Sequence, residues 1–166
     1  MKRTYWTAVV IVVAVIMTVY LCVADAQVRG GVSAGVRLPG ARAVIEAARY
    51  PTIQAAIDAL PEEGGVVRLP PGTFEISEPL KVTRSDVLIE GAGTATHIRN
   101  VNTEGKAALV LQHASGDENR KSELWRIRLA NFRITGNEKS GNGIEARRIN
   151  EVFIDGVTVS NHGGDG

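Results

Sequence analysis

The stretch GGVVRLPPGTFEI, Gly64 to Ile76, cannot be a helix: a glycine pair and a Pro-Pro-Gly corner interrupt it within a few residues of each other. It reads instead as a strand, a stiff corner and a second strand. The same rhythm continues along the chain. Phe74 and Ile76 alternate with Thr73, Glu75 and Ser77, Leu80 and Val82 with Lys81 and Thr83, and Val87 and Ile89 with Leu88 and Glu90. Further on, Trp125, Ile127 and Leu129 alternate with Arg126 and Arg128. Each run is short, has period two and is bounded by Gly, Pro, Asn or Asp, so each is expected to be a short strand with one face buried. Val and Ile dominate the apolar residues and aromatics are only 5%, which leans the chain the same way.

The runs also recur. VLIEG ends at Gly91 and FRITG at Gly136, an offset of 45 residues or about two periods of 22 to 23. VTVSN follows FRIT with an offset of 25, and Gly141 and Gly164 open matching G-x-G fragments. An imperfect period of this length, with strands in each copy, predicts a solenoid of the parallel β-helix type. A leucine-rich repeat has a similar period but needs a leucine pattern that is absent, and a β-sandwich is the other architecture that gives evenly spaced short strands. Ahead of the strands, YPTIQAAIDALPEEGG predicts an amphipathic helix of about three turns. Pro51 and Thr52 open it, Ile53, Ile57 and Leu60 share a face, and Pro61 with Gly64 and Gly65 ends it. Its expected task is to cap the first coil.

The first residues stand apart. Lys2 and Arg3 precede an apolar run from Ala8 to Val23 and then Ala24-Asp25-Ala26, a pattern that fits a cleaved signal peptide over residues 1–26. The alternative is a retained membrane anchor, although the run is short of the ~20 residues a span needs. Either way the rest is expected to be exported, to a secreted, periplasmic or cell-surface location. Cys22 is the only cysteine, so a chain cleaved after Ala26 has no disulfide. Residues 27–49 are rich in Gly, Ala and Arg and read as a linker, with residues 50–166 as the β domain. The length of 166 residues and a formal charge of +1 suit one globular domain and give no basic excess for nucleic acid.

YPTIQAAIDALPEEGGVVRLPPGTFEISEPLKVTRSDVLIEGAG resembles the opening of the pectate-lyase superfamily of right-handed parallel β-helix proteins, over about Tyr50 to Asn100. The resemblance implies an all-β, right-handed parallel β-helix with a short N-terminal capping helix. It also implies an exported enzyme acting on a uronic-acid polysaccharide, a lyase or a glycoside hydrolase, with Ca²⁺ in the lyase members. The alternative is a non-catalytic β-helix that serves as a surface binding or adhesion module. Because Gly166 falls just after a G-x-G that earlier leads into a strand, the chain reads as the N-terminal part of a longer β-helix, inactive by itself.

The candidate site residues follow from coil spacing. Glu123 and Glu145 are 22 apart, as are Arg126 and Arg148, and residues 120–148 hold eight Lys/Arg against three Asp/Glu. Arg126 and Arg148 are therefore candidates for binding an acidic polysaccharide, against the plainer reading that charges occupy the outward places of an alternating strand. In NHGGDG, His162 and Asp165 are the candidates for acid–base work, against the reading of a Gly-rich corner. The residues themselves suggest no cofactor and no metal-ligand set.

Overall fold

The computed structural model describes residues 38–116 and 122–166. The chain divides into two units, Met1–Ala41 and Arg42–Gly166. In the first, Ala41 N donates to Leu38 O at 2.9 Å in a turn. The leader or anchor expected over residues 1–26 and most of the linker lie outside the described residues. Among those described, no helix is long and apolar enough to cross a membrane.

The second unit is mainly β. Its strands are β1 (Ala43–Glu46), β2 (Gly65–Arg68), β3 (Gly72–Ile76), β4 (Leu80–Val82), β5 (Val87–Glu90), β6 (Thr96–Asn100), β7 (Leu109–Leu111), β8 (Ile127–Thr135), β9 (Ile144–Ala146) and β10 (Val152–Ser160). Seven of them form one curled, half-barrel sheet in the order β1-β2-β5-β8-β6-β3, with β10 also on β8, and β4-β7-β9 form a second sheet. All these pairings are parallel.

This corrects the evenly repeating right-handed β-helix expected from the period. Only some pairings keep the expected step: Ala43 to Gly65 and Gly65 to Val87 are 22 residues, and Ile127 to Val152 is 25. The step from Leu88 to Arg128 is 40, and that from His97 to Arg133 is 36. The long nine-residue β8 joins what would have been two separate faces into a single curled sheet. The apparent copies VLIEG and FRITG are not partners either, because VLIE lies beside IRLA, with Ile89 on Leu129. The residues between β6 and β8 displace the register, which a search for one fixed period averages away.

Side chains stack in register along the core. One inward row runs Ile45, Val67, Ile89, Leu129, Ile154, and another runs Phe74, Ile98, Ile134, Val159. Val67, Ile89, Leu129, Ile98 and Ile134 are fully buried, and each such side chain contributes about 1.5–3 kcal/mol through removal from water. Two left-handed residues let β8 and β10 turn from one face to the next, Asn131 at φ 58° and Gly156 at φ 61°. Each adds one residue to the alternation, so Ile127, Leu129, Phe132 and Ile134 all point inward and are buried. Gly91 is held for a different reason: a Cβ there would lie 2.4 Å from Asn131 O and 2.9 Å from Thr96 Cβ.

The helix α1 (Ile53–Asp58) is shorter than expected. Thr52 caps it, its Oγ1 accepting from Ala55 N at 3.0 Å. Ile53, Ile57 and Leu60 are buried and Asp58 is exposed. Gln54 ties the helix to β4, accepting from Lys81 N at 2.7 Å and donating to Lys81 O at 3.2 Å. The expected place of Trp125 is corrected: it is 41% exposed, and its neighbour Leu124 is buried instead. Arg126 at φ 53° breaks the alternation just before β8 begins.

Candidate functional site

The outward side of β3, β6, the second half of β8 and the second half of β10 presents two rows in register. One is Thr73, His97, Arg133, Thr158, and the other Glu75, Arg99, Thr135, Ser160. Parallel pairing sets the strands about 4.8 Å apart, so the rows repeat polar groups at that interval. His97 Nε2 lies 2.7 Å from Thr135 Oγ1, which fixes the imidazole against the sheet. Burial, together with the guanidiniums of Arg133 and Arg99, holds the His97 pKa below its usual value, so the ring is neutral at pH 7. Arg99 pairs with Glu75 at 3.2 Å. Arg133 is exposed, and among the described residues its side chain has no hydrogen bond or ion pair. The face therefore carries hydroxyls, a neutral imidazole and one uncompensated cation.

A second polar cluster sits at the turn into β5 and β8. Asp86 accepts from Arg126 Nε at 2.7 Å and from Arg126 Nη2 at 2.8 Å, with Arg42 at 3.5 Å. This bidentate pair holds the Asp86 carboxyl below the usual carboxylate range. Arg126 is thus committed to Asp86. Nor does it stack on Arg148: Ile127 N donates to Glu151 O, and Leu124 N to Arg148 O, so Glu151 is the neighbour of Arg126 on the next strand. The expected pair of arginines at coil spacing is not brought together. Arg148 stands half-buried in a turn at φ 52°.

Glu123 and Glu145 are held by different partners. Glu145 lies on β9 beside Val110 and accepts from Arg147 Nε at 2.8 Å, whereas Glu123 accepts from Asn150 at 3.0 Å. His162 is half-buried, its Nδ1 3.3 Å from Ser140 Oγ, and its enclosed Nε2 has no protein partner. Burial lowers its pKa. Asp165 is exposed, and its backbone is what is held, N donating to Asn142 Oδ1 at 3.1 Å and O accepting from Gly143 N at 2.8 Å. The two candidate acid–base residues are fastened separately, each to the neighbouring turn at residues 140–143.

Sequence reasoning missed a network of amides. Asn100 and Asn102 are buried. Asn102 donates to Ser77 O at 2.9 Å and accepts from Glu104 N and Lys106 N at 2.8 and 2.9 Å. Asn137 spans the gap to the next turn, donating to Asn100 O and Asn102 O at 3.2 and 2.8 Å. The available signal was a set of asparagines at strand ends or within two residues of them, at Asn100, Asn102, Asn137 and Asn161.

No family model and no curated protein matches the chain. The solved structure of ORF18 from Geobacillus virus E2 is similar, with a TM-score of 0.59 at 19% sequence identity. The match covers 67% of this chain and 24% of that one, so the chain spans about a quarter of its length. At this identity the likeness concerns the fold alone. The expected membership of the pectate-lyase superfamily is accordingly corrected: the resemblance of Tyr50 to Asn100 finds no counterpart among protein families, and what the chain shares with a known structure is its arrangement of parallel strands.

Proposed function

We propose that Arg42–Gly166 is a non-catalytic surface-binding module that takes an acidic glycan along the outward face of β3, β6, β8 and β10. The observation that carries this is the pair of rows on that face, with Thr73, Thr135, Thr158 and Ser160 around the unpaired Arg133. Hydroxyls at strand spacing complement the hydroxyls of an extended sugar chain, and a guanidinium complements its carboxylates. The engagement of Glu123 and Glu145 by different partners, and the separate anchoring of His162 and Asp165, favour binding over acid–base chemistry. The sequence of Lys2 and Arg3 followed by the apolar run Ala8–Val23 supports an extracytoplasmic location.

The test is affinity electrophoresis through gels containing polygalacturonate, alginate or neutral dextran. Retardation by the acidic polymers alone, weakened by salt and by Arg133→Ala, is expected. Equal mobility in all three gels would refute glycan binding. Release of unsaturated products or reducing ends would refute the non-catalytic part.

A further inference from the structure

We infer that His97 is a proton-operated second cation of the outward face: once charged, it joins Arg133 in holding a carboxylate of the glycan, so the module binds more tightly in an acidic medium than in a neutral one. This regulation rests on the glycan-binding reading of that face. His97 and Arg133 are register partners on β6 and β8. Parallel strands stand about 4.8 Å apart, so the two side chains rise from one row and a single carboxylate can meet both. β6 lies within the sheet, with β3 on one side and β8 on the other.

The ring is already held in place. Its Nε2 lies 2.7 Å from Thr135 Oγ1, two residues beyond Arg133 on β8. A hydroxyl both donates and accepts, so Thr135 serves the neutral ring and the charged one alike. Among the described residues Nδ1 has no hydrogen bond. A neutral imidazole has one N–H and an imidazolium two, so charging the ring adds a donor as well as a charge. The charged groups around it are few. On its own strand, Arg99 is paired with Glu75 of β3 at 3.2 Å. On β8 stands Arg133, while Thr73 of β3 and Thr158 of β10, the other members of the row, carry no charge.

In the free molecule burial opposes the charged ring, and the guanidiniums of Arg133 and Arg99 add to that, so the pKa of His97 lies below its ordinary value. A carboxylate laid against Arg133 cancels part of this repulsion and favours the imidazolium. By linkage, a ligand that raises the pKa on binding is itself bound more tightly where the ring is protonated. Affinity therefore rises as pH falls through the pKa of the bound state, and levels off below that of the free state. The carboxylates of the glycan, with ordinary values near about 4, stay ionised above about pH 5.

The test measures retardation of the full chain by polygalacturonate at about pH 7.5 and about pH 5.5, and follows the His97 ring by NMR with and without a short oligogalacturonate. A roughly three- to tenfold gain in affinity is expected at the lower pH, the size of one charge-assisted contact. The His97 titration should move upward when the oligomer is bound. His97→Gln supplies an amide in place of the ring and cannot be charged, so it should bind equally at both pH values. His113 and His162 remain titratable in that variant, so a general gain of positive charge would persist in it. An equal gain in His97→Gln, no gain in the unaltered chain, or an unmoved His97 titration at saturation would overturn the proposal while glycan binding stands. No retardation at either pH would overturn both. Should the variant fail to fold, the NMR titration of the unaltered chain decides alone.

Discussion

Leu129 and Ile154 are adjacent members of one inward row, yet the first is fully buried and the second is 53% exposed. At the other end of the same sheet, α1 packs on β1 and β4, and Ile57 is 4% exposed. The side chains are alike in size and hydrophobicity. What separates them is whether a further layer follows: a helix at one end, and no strand among the described residues at the other. In a stacked sheet an apolar residue stabilises the fold most when both of its neighbours in the row are present.

The sharpest way to break that comparison is Ile57→Asp, which sets an unpaired charge against the core beneath α1 and is expected to cost roughly 4 kcal/mol. Asp58→Ala, one residue along on the exposed side, should cost less than about 0.5 kcal/mol. Equal urea midpoints for the two variants would mean that α1 does not cover the sheet. Next in size is Leu129→Ala, with an expected loss of roughly 3 kcal/mol. Ile154→Ala should lose less than about 0.5 kcal/mol. Similar losses would show that something covers β10. Asn102→Ala should cost roughly 2 kcal/mol, because the part-buried backbone groups of Glu104, Lys106 and Ser77 lose the buried amide that joins them.

The smallest effect is a pH dependence. Arg126 holds the folded-state pKa of Asp86 below its ordinary value, so the stability from this pair is fully present above about pH 4, where the unfolded carboxyl is also ionised. It is lost as pH falls through the lower, folded-state pKa. Thermal midpoints measured from pH 6 down to pH 2 should therefore fall less steeply for Asp86→Asn than for the unaltered chain. Parallel curves would show that the pair contributes nothing.

Local features were legible in the sequence because local physics sets them. Thr52 caps α1, the face formed by Ile53, Ile57 and Leu60 is buried, and the alternation in VLIE and LKV matches their burial. The corners were harder. Nothing in WRIR announces that Arg126 adopts a left-handed conformation, which puts Leu124 in the core and Trp125 outside. The joining of faces through β8 was not legible either, since it depends on a step of 40 residues rather than on any motif. For the candidate site, a search for equal spacing paired Arg126 with Arg148, whereas the register pairs Arg126 with Glu151. Arg133 was passed over because its neighbours in the row, His97 and Thr158, are recognisable only once the register is known.

The central position of β8 also shapes how the molecule must be made. Strand pairings here join residues at least 22 apart in sequence, and β5 and β6 wait for β8, which follows 40 and 36 residues later. Contacts of such long range require loop closure before they yield any stabilisation, so folding on the order of milliseconds to seconds is expected. During synthesis at about 5–20 residues per second, the edges of β5 and β6 emerge and stay unpaired for some seconds. The interval before Ile127 to Thr135 arrives is when the nascent chain is most exposed to pairing with the wrong strand.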